Sequence, residues 1–487
     1  MRAESVEARI GAPSTSSGRR PSTGSGRRLQ PAQRRKSWVH RLADPLALAV
    51  GLTLIVVSAY VGHGLKERGL PIVLPRPPLL AFWHPHLGWG TPLSVLCVLV
   101  GLRLQRFAAK LAWRRLLLAD WLLNLAWLCS LALIDGLRAG WIDVLLDPNE
   151  YLHDVPRITD PAAFVASFTH FIAFGEGVDG TSVWTTHVAG HPPLATLIFW
   201  LLARVGLGGG FWAGTLCILA ASAVSVAIPV TLRELGAGAA ARRAVPFVAL
   251  FPGAVWMAVS ADGLFAGVAT GGLALVCLGA ARGRLLASLL GGVLLGVALF
   301  LSYGLVLFGL VVLTALGVSV QQRGLRRSAG PWLVACTGAA AVAAVHLAYG
   351  FNWLTGLTQL RIRYYQGIAS QRPFSYFAYA NLAAWLISCS PLLAIAISRS
   401  IGILARWRRD PWTEDRVVAL LALSGVLAAL IADLSALSKA ETERIWLTFG
   451  ILAYAGLALL RGRLASWALV GAASWAVVVN HLFNTGW

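Results

Sequence analysis

The chain has 487 residues, of which 57% carry hydrophobic side chains and only 13% are charged, and its mean hydropathy is +0.69. Those values exclude a water-soluble globular fold of this length and indicate an integral membrane protein. The formal net charge of +20 does not point to nucleic acid, because the basic residues sit in an N-terminal tail and in brief breaks between apolar runs, which is the distribution of the positive-inside bias.

Residues 1–41, with "SSGRRPSTGSGRRLQPAQRRK", have almost no large apolar residue and are expected to be a disordered, basic cytoplasmic tail attracted to anionic membrane lipids. No A-x-A site follows a short apolar core, so no cleaved signal peptide is expected. Beyond the tail, apolar runs of roughly 15–22 residues predict helical spans, whereas barrel strands would alternate with a period of two. Spans at about 45–63, 91–104 and 116–136 keep the tail and the Arg103–Arg115 loop in the cytoplasm and leave 138–190 outside.

The stretch "TTHVAGHPPLATLIFW" comes next. If 191–205 crossed the membrane, the later arginine clusters, among them Arg242, Arg243, Arg326, Arg327, Arg408 and Arg409, would fall outside. A helix lying in the outer interface returns them to the cytoplasm; Pro192 and Pro193 suit its first turn, and Arg204 can stay near the headgroups. Ten further spans follow, near 211–232, 244–260, 262–281, 285–301, 302–318, 331–349, 379–399, 416–433, 444–460 and 464–481. The expected fold is therefore an all-α polytopic membrane bundle of about 13 transmembrane helices with a juxtamembrane helix in the first large outer loop, its N-terminus cytoplasmic and its C-terminus outside. The expected divisions are the tail 1–41, an accessory transmembrane pair 42–115, a core 116–349 containing the outer loop 138–210, and C-terminal helices 350–487 with outer loops 350–378 and 434–443.

Function is expected on the outer face, because the cytoplasmic breaks are too short to build a site. Asp135, Asp143, Asp147, Glu150, Asp154 and Asp160 place six of the chain's 21 acids within 26 positions. A carboxylate held near a partly dry surface can serve as a general base or pair with a cation, while "DPN" and "TDP" also fit Asx-turns. Asp262 lies at an outer turn, either capping the next helix in competition with Ser260 or facing the same cavity. Arg361, Arg363 and Arg372 interleave with tyrosines including Tyr376, a pattern suited to phosphate recognition or to an interfacial belt. "SKAETERIW" adds Lys439 and Arg444 at the mouth of the bundle. His187 and His191 could join a loop carboxylate around a divalent metal such as Mg, Mn or Zn, although Pro192 separates them from one regular helix face, so no metal ligand is assigned. The six cysteines fall in apolar runs and read as buried packing residues. No Walker-type loop, GxSxG or CxxC occurs, which argues against an ATPase motor or a serine hydrolase. Lysine occurs only at Lys36, Lys66, Lys110 and Lys439 while arginine abounds, a bias of GC-rich bacterial genomes.

An acidic outer loop, the His-Pro-Pro-Leu helix and the stretch "PVTLRELGAGAAARRAVPFVALFPGAVWMAVSADGLFAGVATGGLAL" together resemble the GT-C superfamily of membrane glycosyltransferases. The style is that of lipid A aminoarabinose transferases and protein O-mannosyltransferases, over about 116–300. The resemblance implies inverting transfer of a mannose-like hexose or a pentose from a polyprenyl-phosphate carrier to a glycan, lipid or protein acceptor, at the outer face of a bacterial plasma membrane. In that picture a loop carboxylate deprotonates the acceptor, and basic residues hold the departing phosphate. Those families show an Asp-Glu pair where this chain reads Asn149-Glu150-Tyr151, so Glu150, Asp154 and Asp143 compete for the base, in that order. His191, Asp262, Arg361, Arg363, Arg372, Tyr376, Lys439 and Arg444 are the expected substrate-binding residues. The two spans before 116 are additional to the family's usual start. Two other classes stand beside this one: a lipid-linked sugar transporter or flippase, disfavoured by predicted span centres almost free of ionisable groups, and a non-catalytic scaffold of the same architecture.

Overall fold

A computed structural model describes residues 31–175, 180, 182–407 and 411–485. The fold is nearly all-α, as composition predicts; the strands are two residues each, Phe82–Trp83 paired antiparallel with Phe483–Asn484. Most of the tail lies outside the described residues, but a helix already begins at Pro31 and runs to Glu67. From Ala43 onward the chain forms one compact unit.

Among the described residues, eight helices are long and apolar enough to cross a membrane, and a bent pair makes up to nine. This is a membrane-embedded helical protein. Three apolar helices are shorter, Pro193–Arg204, Leu285–Leu301 and Leu447–Leu459. The first of them has 12 residues and is only about 18 Å long at 1.5 Å per residue, too short for a hydrocarbon core of about 30 Å.

Two expected spans are not single straight helices. Within 244–260 the helix Gly238–Ala249 stops, and one turn, Ala254–Met257, follows. Pro252 in "LFPG" cannot donate a backbone bond, so the helix ends before it. The carbonyls freed at this break are taken by the neighbouring span Trp113–Ala132: Asn124 Nδ2 donates to Ala249 O at 2.8 Å and Trp127 Nε1 to Phe251 O at 3.0 Å. Away from water each orphaned carbonyl would be costly, so these side chains make the break tolerable. Within 379–399, helices Phe374–Ser388 and Leu393–Leu404 meet at 103°, around Ser390, whose φ is +70°, and Pro391.

The core helices approach through small residues. Helix Ala261–Arg282 packs on Gly210–Glu234 and on Leu285–Leu301, which in turn packs on Leu325–Ala348. Of the cysteines, four are buried, Cys129 is half-buried and Cys336 is exposed, so the last departs from the packing role expected of it. Its helix presents apolar residues outward, as a lipid-facing span does. The arginines of several short breaks are paired: Arg282 with Glu234, Arg243 and Arg461 with Asp415, and Arg399 with Asp44.

The first span and the segment that follows it are woven into the rest. Leu80 N donates to Glu443 Oε1 at 3.1 Å, His84 N donates to Leu482 O, and Tyr376 OH donates to Ser58 O at 3.0 Å. The first spans are thus built into the C-terminal half.

A Cβ added at Gly267 would overlap the Ala220 backbone, whereas one at Gly271 meets nothing within 4 Å. Gly267→Ala is therefore expected to destabilise the detergent-solubilised protein by about 1–3 kcal/mol, with Gly271→Ala neutral or mildly stabilising; equal melting temperatures for the two variants would contradict this packing.

Candidate active site

The acidic loop resolves into residues with separate fates. Asp147 Oδ1 accepts from Asn149 N at 2.8 Å, and Asp160 Oδ1 accepts from Ala162 N at 2.8 Å, so both make the Asx-type turns suggested by the sequence. Asp143 is exposed and pairs with Arg138 at 3.1 Å. Asp154 is fully buried but saturated, accepting from Arg157 Nη1 at 2.7 Å, Thr185 N at 2.8 Å and Thr185 Oγ1 at 3.0 Å. It fastens the loop to the stretch before the His-Pro-Pro helix. Neither Asp143 nor Asp154 touches the cluster described next.

Glu150 is the loop acid that turns inward. Its Oε1 lies 2.9 Å from His187 Nδ1 and 3.1 Å from Arg444 Nη1. Arg444 also reaches His187 Nε2 with Nη2 at 3.1 Å and Asp262 Oδ2 with Nε at 2.9 Å. All four side chains are buried. A guanidinium only donates, so Nε2 of His187 must accept and Nδ1 must carry the proton that faces Glu150. His187 is therefore a neutral bridge with both nitrogens in use and no lone pair left for a metal. Among the described residues no group of three or more His, Cys, Asp or Glu is arranged to hold a metal ion.

Asp262 is free for this pairing because the competing cap wins: Ser260 Oγ accepts from Gly263 N at 3.2 Å at the start of helix Ala261–Arg282. Arg444 comes from a one-turn helix, Thr442–Ile445, entered through Ala440 and Glu441 at φ +84° and +65°. Left-handed backbone at non-glycine residues is strained and needs external support. Asn381, which no local pattern singles out, supplies it, accepting from Ala440 N at 3.0 Å and donating to Ser438 O and to Asp433 Oδ1.

His191 owes its pose to the prolines. A residue before proline is pushed to extended backbone, and His191 sits at φ −132°, ψ 156°, between the turn Thr186–Gly190 and helix Pro193–Arg204. Its Nδ1 is 2.8 Å from His187 O and 2.9 Å from Tyr151 OH, and its ring lies against Phe265.

The remaining expected binding residues form a different assembly. Arg372 Nη1 donates to Lys439 O at 2.7 Å, Lys439 Nζ to Ala369 O at 2.9 Å, and Lys439 N to Tyr364 OH at 2.7 Å. Arg363 covers the Phe174 ring at 3.6 Å. The contacts of Lys439 clamp the 434–443 turn against the 350–378 segment, and Arg363 ties that segment to the 138–210 loop. Tyr376 turns away to the first span, and Arg361 is exposed. The structure thus brings Glu150, His191, Asp262 and Arg444 together with His187 and Tyr151, and leaves the others outside.

Electrostatics follow from this enclosure. Burial alone would raise the Glu150 carboxyl, but His187 and Arg444 reverse that and bring it down to about 2. Burial raises Tyr151 well above its ordinary value, helped by Glu150 and Asp262. Glu443, adjacent in sequence to Arg444 but turned toward Leu80, is raised by burial to about 7. No protein-family model matches the chain, and no curated protein matches it at a significant level.

The Glu150 carboxyl is depressed from 4.5 to about 2 in the folded state, so its contribution to stability is present above the unfolded value and lost as pH falls through that window. Glu150→Gln is expected to lack that part of the acid-unfolding slope. Arg444→Met, which strands two buried carboxylates, is expected to cost about 3–5 kcal/mol at neutral pH. Tryptophan-monitored melting in detergent between pH 2 and 7 measures both, and wild-type profiles for both variants would show that the cluster carries no such coupling.

Proposed function

We propose that the protein is a membrane glycosyltransferase that moves a sugar from a polyprenyl-phosphate carrier to an acceptor at the outer face of a bacterial plasma membrane, with inversion at the anomeric carbon. The observation that carries this reading is the convergence of Glu150, the His-Pro-Pro stretch, Asp262 and Arg444 in one buried polar cluster of a membrane-embedded bundle. With His187 and His191 neutral, two carboxylates and one guanidinium leave the cluster one net negative charge. That sign suits the positive charge that develops on a sugar ring during glycosyl transfer.

The lipid phosphate needs a cation outside the cluster. Arg361, exposed and without an ion pair among the described residues, is the candidate. An isoprenoid chain needs an apolar track, and two cavities beside the first span suit one. One, of about 680 Å³, is lined by residues such as Ile55, Ala59, Leu79 and Trp475; the other, of about 520 Å³, by Leu46, Val50, Trp385 and Ile397. Neither borders the cluster: apolar volume collects beside a lipid-facing span, whereas the chemistry sits where charges converge.

The topology that goes with this reading has thirteen crossings. They are the eight long apolar helices, the bent pair, and the shorter segments Gly90–Phe107, Gly238–Met257, Leu285–Leu301 and Leu447–Leu459. Helix Pro193–Arg204 lies in the outer interface, the N-terminus is cytoplasmic and the C-terminus is outside.

One observation favours lipid-linked sugar transport as a second reading. Asp120, inside the span Trp113–Ala132, is fully buried, and neither carboxylate oxygen has a hydrogen-bond partner among the described residues. Span centres are thus not as free of ionisable groups as expected, and such residues commonly mark transport pathways. The two readings separate in membrane vesicles supplied with radiolabelled polyprenyl-phosphate mannose and other lipid-linked sugars. Transfer of label to an acceptor, reduced at least about 100-fold by Glu150→Gln in a protein that still expresses, supports the transferase. Counterflow of the lipid-linked sugar without product, lost in Asp120→Asn, supports transport instead.

A further inference from the structure

The groups of the cluster differ in how much of their chemistry the protein itself consumes. Glu150 Oε1 is shared by Arg444 and His187, and the acid strength imposed on the group makes it a poor proton acceptor near neutral pH. Asp262 answers the same guanidinium. His187 has both ring nitrogens engaged. His191 is different. The His187 carbonyl 2.8 Å from its Nδ1 can only accept, so Nδ1 carries the ring proton; Tyr151 OH at 2.9 Å shares that proton as a second acceptor. The reverse tautomer would set two lone pairs against each other. The free lone pair of the neutral ring is therefore on Nε2. Among the described residues that atom has no hydrogen-bond partner, and it belongs to a residue that is partly exposed.

We propose that His191, through Nε2, is the base that takes the proton from the acceptor hydroxyl in the glycosyl transfer inferred above. The inference rests on that reading and moves the proton-accepting role from the loop carboxylate to the histidine of the His-Pro-Pro stretch. In the step, the hydroxyl proton passes to Nε2 while the oxygen lone pair attacks the anomeric carbon. The bond from that carbon to the phosphate oxygen breaks, and its electron pair leaves with the lipid phosphate. The imidazolium then returns its proton to water. Asp262 acts as a positioning residue, holding a negative charge near the ring so that the imidazolium is stabilised as it forms, while Tyr151 and the His187 carbonyl fix the tautomer. The cluster, negative by one before the step, becomes neutral when His191 is protonated.

The resting state suits this role. Burial lowers His191 below its ordinary value of 6.5; Asp262 and the hydrogen bond to the His187 carbonyl oppose that shift, and the positive charge of Arg444 reinforces it. The ring is thus neutral at pH 7, and the rate should fall only as pH drops through a value below 6.5.

The test uses the full chain in membranes or nanodiscs, with the lipid-linked sugar that the wild type turns over. His191→Asn retains an amide that can donate to the His187 carbonyl but has no basic nitrogen. It is expected to lower kcat by about 10²–10⁴-fold, to leave KM for the lipid donor within about threefold, and to remove the acidic limb of the pH profile. His191→Ala is expected to regain part of kcat on addition of imidazole. With diethyl pyrocarbonate, followed by peptide mass spectrometry, His191 is expected to react ahead of His187. Near-wild-type kcat with an unchanged acidic limb in His191→Asn, or carbethoxylation of His187 first, would overturn this inference alone. Failure of the wild type to transfer sugar from any lipid-linked donor would overturn the transferase reading, and this inference with it.

Discussion

The guanidinium of Arg444 is the interaction on which the candidate site and the elements around it depend. It is buried, and it bonds to Glu150 from 294 positions earlier as well as to Asp262 and His187. A charge removed from water costs several kcal/mol unless its partners are complete and well placed. Each piece around it therefore has to be right. The Tyr151–His153 turn sets Glu150, the Ser260 cap leaves Asp262 available, and Asn381 supports the left-handed turn that delivers Arg444. Four distant stretches are held to one geometry by the cost of failing to reach it.

Much of this was legible in the sequence, but unevenly. The membrane class followed from hydropathy alone. The acids in "DPN" and "TDP" behaved as turn residues, because an Asx-turn is a local bond that sequence spacing fully specifies. The His-Pro-Pro stretch could be read as a special junction, since proline restricts the residue before it wherever it occurs. Glu150 and Arg444 could each be picked out as candidates, but their pairing with each other was not visible, because no local rule links positions so far apart. Asn381 and Asn124 were missed for the same reason: an amide inside an apolar run looks like an imperfection until the carbonyl it serves is known. The break at Pro252 and Gly253 carried a clear local signal, yet continuous hydropathy on either side outweighed it. Arg372 and Lys439 stand out in the sequence as charges suited to a ligand; in the fold Arg372 Nη1 and Lys439 Nζ each donate to a backbone carbonyl, of Lys439 and Ala369.

The first two spans are tied to distant parts of the chain. Counted along the chain they form a separate pair, but the segment between them reaches Glu443, beside Arg444 in the chain, and pairs its short strand with the end of the chain. Backbone groups leaving a membrane helix seek partners wherever backbone is available nearby, and here that lies at the far end of the sequence.

The broken helix after Gly238 bears on how the molecule can be made. Its exposed carbonyls are acceptable in a bilayer only beside Asn124 and Trp127, and both belong to a span that precedes it in the chain. A ribosome releasing the chain from its N-terminus places the donors in the membrane before the acceptors emerge. The discontinuity can thus be received by a surface already prepared for it, and the order of synthesis matches the order in which the bonds are needed.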